Sequence, residues 1–504
     1  MSSKIVKKFQ SQETLESAIK FLWAAALMSL PVTSFRWFPF LGETTYVRPL
    51  ALYPLAALLP LIFIQWRRGR LRLNLSPAWI PLLLFVLWIF ASAALGWAAN
   101  PIPLRGQVYF GRMIRALATL FIGLAFFAAA HPMNQTEDDL RFTVQWILAG
   151  LCLDLAWSGL QEITFLGFLK KEMVTHWQRA FSMRELIRSN RISGLAYEPA
   201  WLAGQFATLF FPFLFAAVMT NYRVTRFRWL EPALLILSLP VLLATYSRGG
   251  LLTSAAAAAL TFALLGRGVL SAMWKWFAGG FRRAPVGATF LRLGIILAAA
   301  GIFAGAFFFL SQKEYISRLW KLDASSLSEY MVDIKAGARG AYTSAAYAVF
   351  EERPIFGVGF GASGFYLYEN LPSWALTTVP EIAKQLSPEN HLFPNPKNLY
   401  MRLLAETGLL GFVLYLAFQF HLLGDILALL KINGARSLPT LDATLEDFAL
   451  HKQRWYRFAA TAGLFAWLAI TFYNFTQDSL ATPNLWIVLG SLAGVSASQI
   501  KENS

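Results

Sequence analysis

The chain has 504 residues, of which 57% are hydrophobic and only 14% are Asp, Glu, Lys or Arg. This composition excludes a soluble globular domain, and recurring apolar runs of about 20 residues are typical of a polytopic α-helical membrane protein. The formal net charge of +16 does not indicate nucleic-acid binding, because basic residues also mark the cytoplasmic loops of membrane proteins.

The apolar segments predict about twelve transmembrane helices in a single integral membrane domain that covers residues 1–504. They lie near residues 18–34, 49–66, 79–97, 112–130, 144–164, 199–219, 230–246, 250–266, 292–311, 399–423, 456–474 and 483–498. An even number of spans places both termini on one side. The N-terminal tail and the loops 67–74, 220–229 and 267–292 are basic, so we expect that side to be the cytoplasm.

Polar residues interrupt the fifth predicted span. Asp154, Ser158, Gln161 and Glu162 share one face of that helix. Polar faces inside spans are typical of transporters, so a lipid or solute transporter is one functional alternative.

Two long segments, 165–198 and 312–398, fall on the outer side in this topology, and we expect the second to contain short helices. The first carries six basic residues: Lys170, Lys171, Arg179, Arg184, Arg188 and Arg191. The positive-inside tendency gives an outward loop no reason to be this basic. The segment therefore predicts an anionic ligand at the outer surface, with anchoring to lipid head groups as the alternative.

The stretch RISGLAYEP, residues 191–199, joins this basic loop to the sixth span. Pro199 is typical of a first helical turn. We expect Glu198, at the helix start beside Arg191, to act either in capping or ion pairing, or else on a substrate.

A second arginine, Arg248, lies in TYSRGGLL between two apolar spans. The predicted topology places it at the outer end of its span, where a charge costs less than at the bilayer centre. Flanking glycines permit close backbone approach to a ligand or a tight turn. Snorkelling of the side chain to the interface is the alternative.

Further along, Arg339 precedes Tyr342, Ala345, Ala346 and Val349, whose spacing predicts an outer-face helix that ends before Pro354. The glycine-rich segment 357–364 is not framed by a strand and a helix, so it does not indicate a nucleotide site. We expect it to be a flexible loop at the membrane rim.

The stretch SPENHLFPNPKNLYMRLLAETGLLG, residues 387–411, leads into the tenth span. His391 is a candidate base, although a structural role is the alternative. Glu406 is expected to pair with Arg402 through their i,i+4 spacing. The sequence has no HExxH, no Cys/His cluster and no Asp-rich motif, so neither a catalytic metal nor a cofactor is expected.

The order RISGLAYEP, TYSRGGLL, RPIFGVGFGASGF and NPKNLYMRLLAETGLLG resembles the O-antigen ligase and O-antigen polymerase (Wzy-type) superfamily of bacterial envelope glycosyltransferases. The resemblance implies a GT-C-like enzyme of the bacterial inner membrane. It implies saccharides carried on undecaprenyl diphosphate, with the active site facing the periplasm and without metal or nucleotide. Arg191, Arg248 and Arg339 match the arginines that hold the donor diphosphate, with secondary contacts from Lys397, Asn398 and Tyr246.

Ligases of this superfamily usually place a histidine immediately before the asparagine of the NLY block, whereas this chain has Lys397 before Asn398. That departure leaves His391 or Glu198 as the base. It favours a polymerase of oligosaccharide repeat units over a ligase that transfers the glycan to lipid A-core or another acceptor. The expected partners are the lipid-linked donor, a saccharide or lipid-linked acceptor and membrane lipids, with no nucleic acid.

Overall fold

The computed structural model shows a helical protein. It describes residues 2–37, 47–71, 74–184, 186, 190–283, 287–311, 326–334, 336–387, 389–435 and 443–503. Within these ranges no strand forms, and isolated β-bridges such as the one between Phe35 and Ser182 are the only ladder contacts. The all-α class is therefore confirmed for the described part of the chain. Parts of the two long segments, among them Arg188 and residues 312–325, lie outside it.

The helices follow one another with short connections. The first part of the chain forms α1 Ser2–Met28, α2 Leu52–Arg67, α3 Trp79–Ala99, α4 Tyr109–Ala130, α5 Glu137–Phe165, α6 Lys171–Arg179, α7 Pro199–Gln205, a π-helical turn Phe206–Phe210, α8 Phe211–Thr220, α9 Leu230–Ala244 and α10 Arg248–Leu265. The second part forms α11 Arg267–Arg283, α12 Gly287–Ser311, α13 Leu327–Asp333, α14 Gly337–Glu352, α15 Ser363–Tyr366, α16 Ser373–Thr378, α17 Pro380–Leu386, α18 Leu399–Ala435, α19 Ala443–Tyr473 and α20 Pro483–Asn503.

Six helices in the described ranges are long and apolar enough to cross a membrane: α3, α4, α5, α10, the continuous stretch Pro199–Thr220, and Leu399–Leu430 within α18. Each coincides with a predicted span, so the chain is an integral membrane protein. The helices α2 and α9 are apolar but shorter, and the count of about twelve spans stays a prediction. Pro199–Thr220 is the central helix, since 83% of its apolar window is buried, against 28–44% for the other five.

Contacts between loops define two ends of the helix bundle. At one end the backbone N–H of Tyr197 donates to Thr33 Oγ1 at 2.9 Å, which joins the loop after α1 to the loop after α6. At the other end Arg141 Nε donates to the carbonyl of Val224 at 2.9 Å. We call the first end the site end, and segments predicted to be outside lie there. The second, the far end, gathers segments predicted to be cytoplasmic, and the side that each faces stays a prediction.

A break in α18 accounts for several glycines of the sequence. Gly408 has φ 65° and ψ −168° inside the helix, so nearby carbonyls lose their helical partners. The N–H groups of Val358 and Gly359 donate to the carbonyls of Ala405 and Glu406 at 2.9 and 3.0 Å. The break and the glycine-rich segment therefore form one packed unit.

The expectation of a flexible glycine loop at the membrane rim was wrong. All eight residues of 357–364 are buried. A Cβ at Gly359 would come within 2.4 Å of Gly96 Cα, and Gly359 also has φ 108°. Glycine is needed there because two backbones touch and because the conformation disfavours other residues.

The helices α13 to α17 build a second hydrophobic core at the site end. Its buried residues include Tyr342 and Val349 of α14, Ile382 of α17, Tyr109 of α4 and Ala405 of α18. The segment before α18 is thus packed on the ends of two candidate spans. The predicted helix around Arg339 is confirmed, and α14 ends at Glu352, two residues before Pro354.

Candidate active site at one end of the helix bundle

The loop of residues 474–482, between α19 and α20, is the meeting point of the site end. The carbonyl of Asn474 accepts a hydrogen bond from Leu399 N at 2.8 Å, which fixes the start of α18. The carbonyl of Thr476 accepts from Arg339 Nη1 at 3.4 Å. Asp478 Oδ2 accepts from Lys397 N at 3.3 Å. One short polar loop therefore holds elements that lie far apart in the sequence.

Arg248 lies in the first turn of a helix that packs on this loop. Ser247 caps α10 by accepting from Gly250 N at 3.4 Å, while Tyr246 has the left-handed φ of 48°. A Cβ built on Gly249 would lie 3.3 Å from the Thr476 side chain. The first turn of α10 and the Arg339 contact thus meet at the same residue, Thr476.

Arg191 joins the same region from the other side. Its Nε donates to the carbonyl of Thr245 at 2.9 Å, and Ile192 N donates to the carbonyl of Ala244 at 3.1 Å. Arg191 therefore lies against the turn that precedes Arg248. Contacts through Thr245 and Thr476 thus link the three segments that carry the predicted arginines.

The electrostatics of this region favour an anion. Arg248 and Arg339 stand in the first turns of α10 and α14, and α18 also begins at the 474–482 loop. Helix N-termini carry partial positive charge and free N–H groups, which add to the charge of the guanidinium groups. Arginines and helix starts on linked segments suit a phosphate or diphosphate.

The comparison with known families agrees with this chemistry. Residues 233–416 match the model of the family described as O-antigen ligase. These residues are therefore similar to O-antigen ligases. The resemblance found in the sequence is thereby confirmed. No curated protein matches the chain.

The matched range 233–416 contains five of the candidate site residues: Arg248, Arg339, His391, Lys397 and Asn398. Arg191, Glu198 and the 474–482 loop lie outside the matched range. The candidate site therefore combines residues of the matched range with residues on both sides of it.

The sequence suggested an ion pair between Glu198 and Arg191, but Glu198 does not pair with Arg191. It pairs with Arg184, with Glu198 Oε1 2.9 Å from Arg184 Nη1 and side chains 43% and 31% exposed. An exposed pair of this kind contributes little to stability. The charges of Glu198 and Arg339 both act on the Tyr473 hydroxyl, so both residues lie near Tyr473.

His391, the other candidate base, has no recorded interaction with the arginines in the described part of the chain. It is exposed, and within the described ranges the structure records no hydrogen bond or ion pair for it. Its neighbours Asn390 and Leu392 are bound through their carbonyls by Arg105. Of the two candidate bases, Glu198 is the one that shares a neighbour, Tyr473, with Arg339.

Lys397 and Asn398 position the start of α18. Asn398 is buried and its Oδ1 accepts from Met401 N at 3.2 Å, which is a helix cap. Lys397 has φ 54°, and its Nζ lies 3.5 Å from Glu381 Oε1 and 5.7 Å from the ring of Tyr342. Burial raises the pKa of Tyr342, so that phenol stays neutral.

The polar face of α5 supports the Arg191 segment. Asp154 Oδ1 accepts from Leu195 N at 2.7 Å, and Gln161 Oε1 accepts from the N–H groups of Ser193 and Gly194 at 3.1 and 2.9 Å. These side chains are engaged in holding backbone. The feature that favoured a transporter is thus accounted for by the architecture of the site.

Sequence reasoning missed the 474–482 loop. Its signal was present, because Asn474, Gln477 and Asp478 form a polar island between two predicted spans. The predicted Arg402–Glu406 pair is confirmed, at 3.1 Å. Arg402 also donates to the carbonyl of Asp478 at 2.7 Å, so this pair belongs to the wall of the site.

Proposed function

We propose that the protein is a metal-independent membrane glycosyltransferase that polymerises oligosaccharide repeat units carried on undecaprenyl diphosphate. The observation that carries the proposal is the joining of Arg191, Arg248 and Arg339, from three distant stretches, around Thr245 and Thr476. Planar guanidinium groups bind phosphate oxygens in pairs and keep their charge. The match of residues 233–416 to the O-antigen ligase family supports a lipid-linked saccharide as the substrate.

The reaction is a displacement at the anomeric carbon of the donor. A hydroxyl oxygen of the acceptor forms the new bond to this carbon, the bond to the diphosphate oxygen breaks, and its electron pair leaves with the lipid diphosphate. The arginines stabilise the charge that develops on the leaving group. We assign the proton of the hydroxyl to Glu198, because Glu198 and Arg339 both lie near Tyr473.

The choice of base is tested with Glu198→Gln and His391→Ala. We expect Glu198→Gln to lower the transfer rate by about a hundredfold, the size of a lost general base, while donor binding persists. His391→Ala is expected to retain the wild-type rate. A normal rate in Glu198→Gln together with loss in His391→Ala would assign the base to His391 instead.

An O-antigen ligase is the second candidate, since the matching family model carries that description. Purified protein in detergent is mixed with an undecaprenyl-diphosphate oligosaccharide, with and without a lipid A-core acceptor. A ladder of longer glycans is expected for a polymerase. A single transfer that requires the added acceptor would assign a ligase, and absence of transfer with several authentic donors would reject both.

We also propose that the site end faces the periplasm and that both termini are cytoplasmic. The predicted outer segments gather at the site end, and the basic short loop that contains Arg226 lies at the far end. With this orientation, the arginines meet lipid-linked saccharides in the outer leaflet.

A further inference from the structure

Arg112, in the first turn of α4, is a cation that the three-arginine site does not use. Its guanidinium carbon lies 4.1 Å from the ring centroid of Phe393. Its Nε is buried and has no hydrogen-bond partner among the described residues. A buried N–H donor without an acceptor is costly, and a charge at the end of a candidate span is expected to have an anionic partner.

The nearby carboxylates do not serve as that partner. The charges of Glu406 and Asp478 act on Arg112, as do those of Arg402 and Arg115. Glu406 is already bonded by Arg402 Nε and by Ser363 Oγ, at 3.1 and 2.7 Å. Asp478 Oδ2 accepts from Lys397 N. Arg112 therefore remains available to a ligand.

The position of Arg112 relates it to the candidate active site. Arg112 and Arg402 are near Asp478, while Arg339 and the first turn of α10 contact Thr476. The backbones of residues 476 and 478 are at most about 7 Å apart. Two sets of arginines thus approach the same loop at neighbouring positions.

We infer that Arg112 binds the phosphate groups of a second lipid-linked substrate, the acceptor. This inference rests on the proposed polymerisation, in which both substrates carry a lipid diphosphate and only one of them leaves. The leaving diphosphate occupies the site of Arg191, Arg248 and Arg339. The diphosphate that stays on the product is held beside Arg112, with the ring of Phe393 covering one face of the guanidinium.

The test counts diphosphate sites in the full-length protein in nanodiscs, with farnesyl diphosphate as the probe and native mass spectrometry and calorimetry as readouts. We expect two sites in the wild type and one in Arg112→Gln, with the affinity of the lost site reduced about ten- to a hundredfold. Arg248→Gln is expected to lose the other site. Arg112→Lys, which keeps the charge, should weaken the second site by less than Arg112→Gln and so shows that the effect is not misfolding.

Arg115→Gln is the matched control. Arg115 lies one turn along α4, is exposed and donates to Gln107 Oε1 at 3.0 Å, so its loss should leave both sites intact. Equal loss in Arg112→Gln and Arg115→Gln, or two unchanged sites in Arg112→Gln, would overturn the inference. Displacement of the second equivalent by phosphatidylglycerol but not by phosphatidylcholine would reassign Arg112 to bulk phospholipid.

These results separate the inference from the proposed function. Two diphosphate sites without glycan extension would reject the polymerase and leave the second site standing. Glycan extension with a single diphosphate site would support the polymerase and reject the second site.

Discussion

Gly194 offers a sharp test of how the Arg191 segment is held. Its φ is +57°, and a Cβ placed on it would lie 2.2 Å from Asp154 Oδ1 and 3.0 Å from Ser158 Oγ. In Gly194→Ala the left-handed conformation costs about 1–2 kcal/mol. The buried carboxylate must also move away from Leu195 N, and loss of that hydrogen bond costs about 1–3 kcal/mol.

We therefore expect Gly194→Ala to destabilise the folded protein by about 2–5 kcal/mol in total. Displacement of the segment also shifts Arg191 from its contact with Thr245. Misplacement of a substrate-binding group by about 1 Å costs up to a hundredfold in rate, so glycan transfer should fall at least about tenfold. Thermal unfolding in detergent and the transfer assay measure the two effects.

Gly159→Ala is the control, since Gly159 lies on α5 between Ser158 and Gln161. No atom lies within 4 Å of a Cβ at Gly159, and alanine is about 1 kcal/mol more favourable than glycine inside a helix. This variant should be as stable as the wild type or more stable, with full transfer. If Gly194→Ala unfolds and transfers as Gly159→Ala does, the support of Arg191 by α5 is refuted.

Three further predictions concern the proposed reaction. The first replaces each arginine by lysine, in Arg191→Lys, Arg248→Lys and Arg339→Lys. Lysine keeps the charge but cannot make paired contacts to phosphate, so each variant should lower the transfer rate about tenfold or more. The control Arg226→Lys, at the far end, should keep the wild-type rate, and full activity in all three arginine variants would show that these residues do not bind the diphosphate. Transfer should persist in excess EDTA, and its loss, with recovery on adding a divalent cation, would reject metal independence. In a cysteine-free background, the Asn395→Cys variant should react with a membrane-impermeant maleimide in spheroplasts, and the Arg226→Cys variant should not. The reverse pattern would place the site end in the cytoplasm.

Local spacing in the sequence predicted the features that depend on one helix. The Arg402–Glu406 pair follows from i,i+4 geometry, and the end of α14 follows from Pro354. The six candidate spans follow from runs of apolar residues. In each case the residues that decide the outcome are neighbours in the chain.

Contacts between distant segments escaped the same reasoning. Glu198 found Arg184 because the chain folds back after α6, and no spacing rule chooses between Arg184 and Arg191. Arg339 and Thr476 are 137 residues apart. The glycine-rich segment looked like a loop because glycine lowers both hydropathy and helix propensity, although its role is to let backbones touch.

The residues of the family-like stretches therefore divide into those that pack or cap helices and those that carry charge. In SRGG, Ser247 caps α10, and a Cβ at Gly250 would lie 2.3 Å from Ala203 Cβ, so this glycine serves close packing against α7. In the GVGFG and AETGLLG stretches the glycines hold the break of α18 together. Once these residues are assigned to packing and capping, the arginines remain as the charged groups of the pattern. Their segments are linked through Thr245 and Thr476, and several guanidinium groups in one region suit a lipid diphosphate.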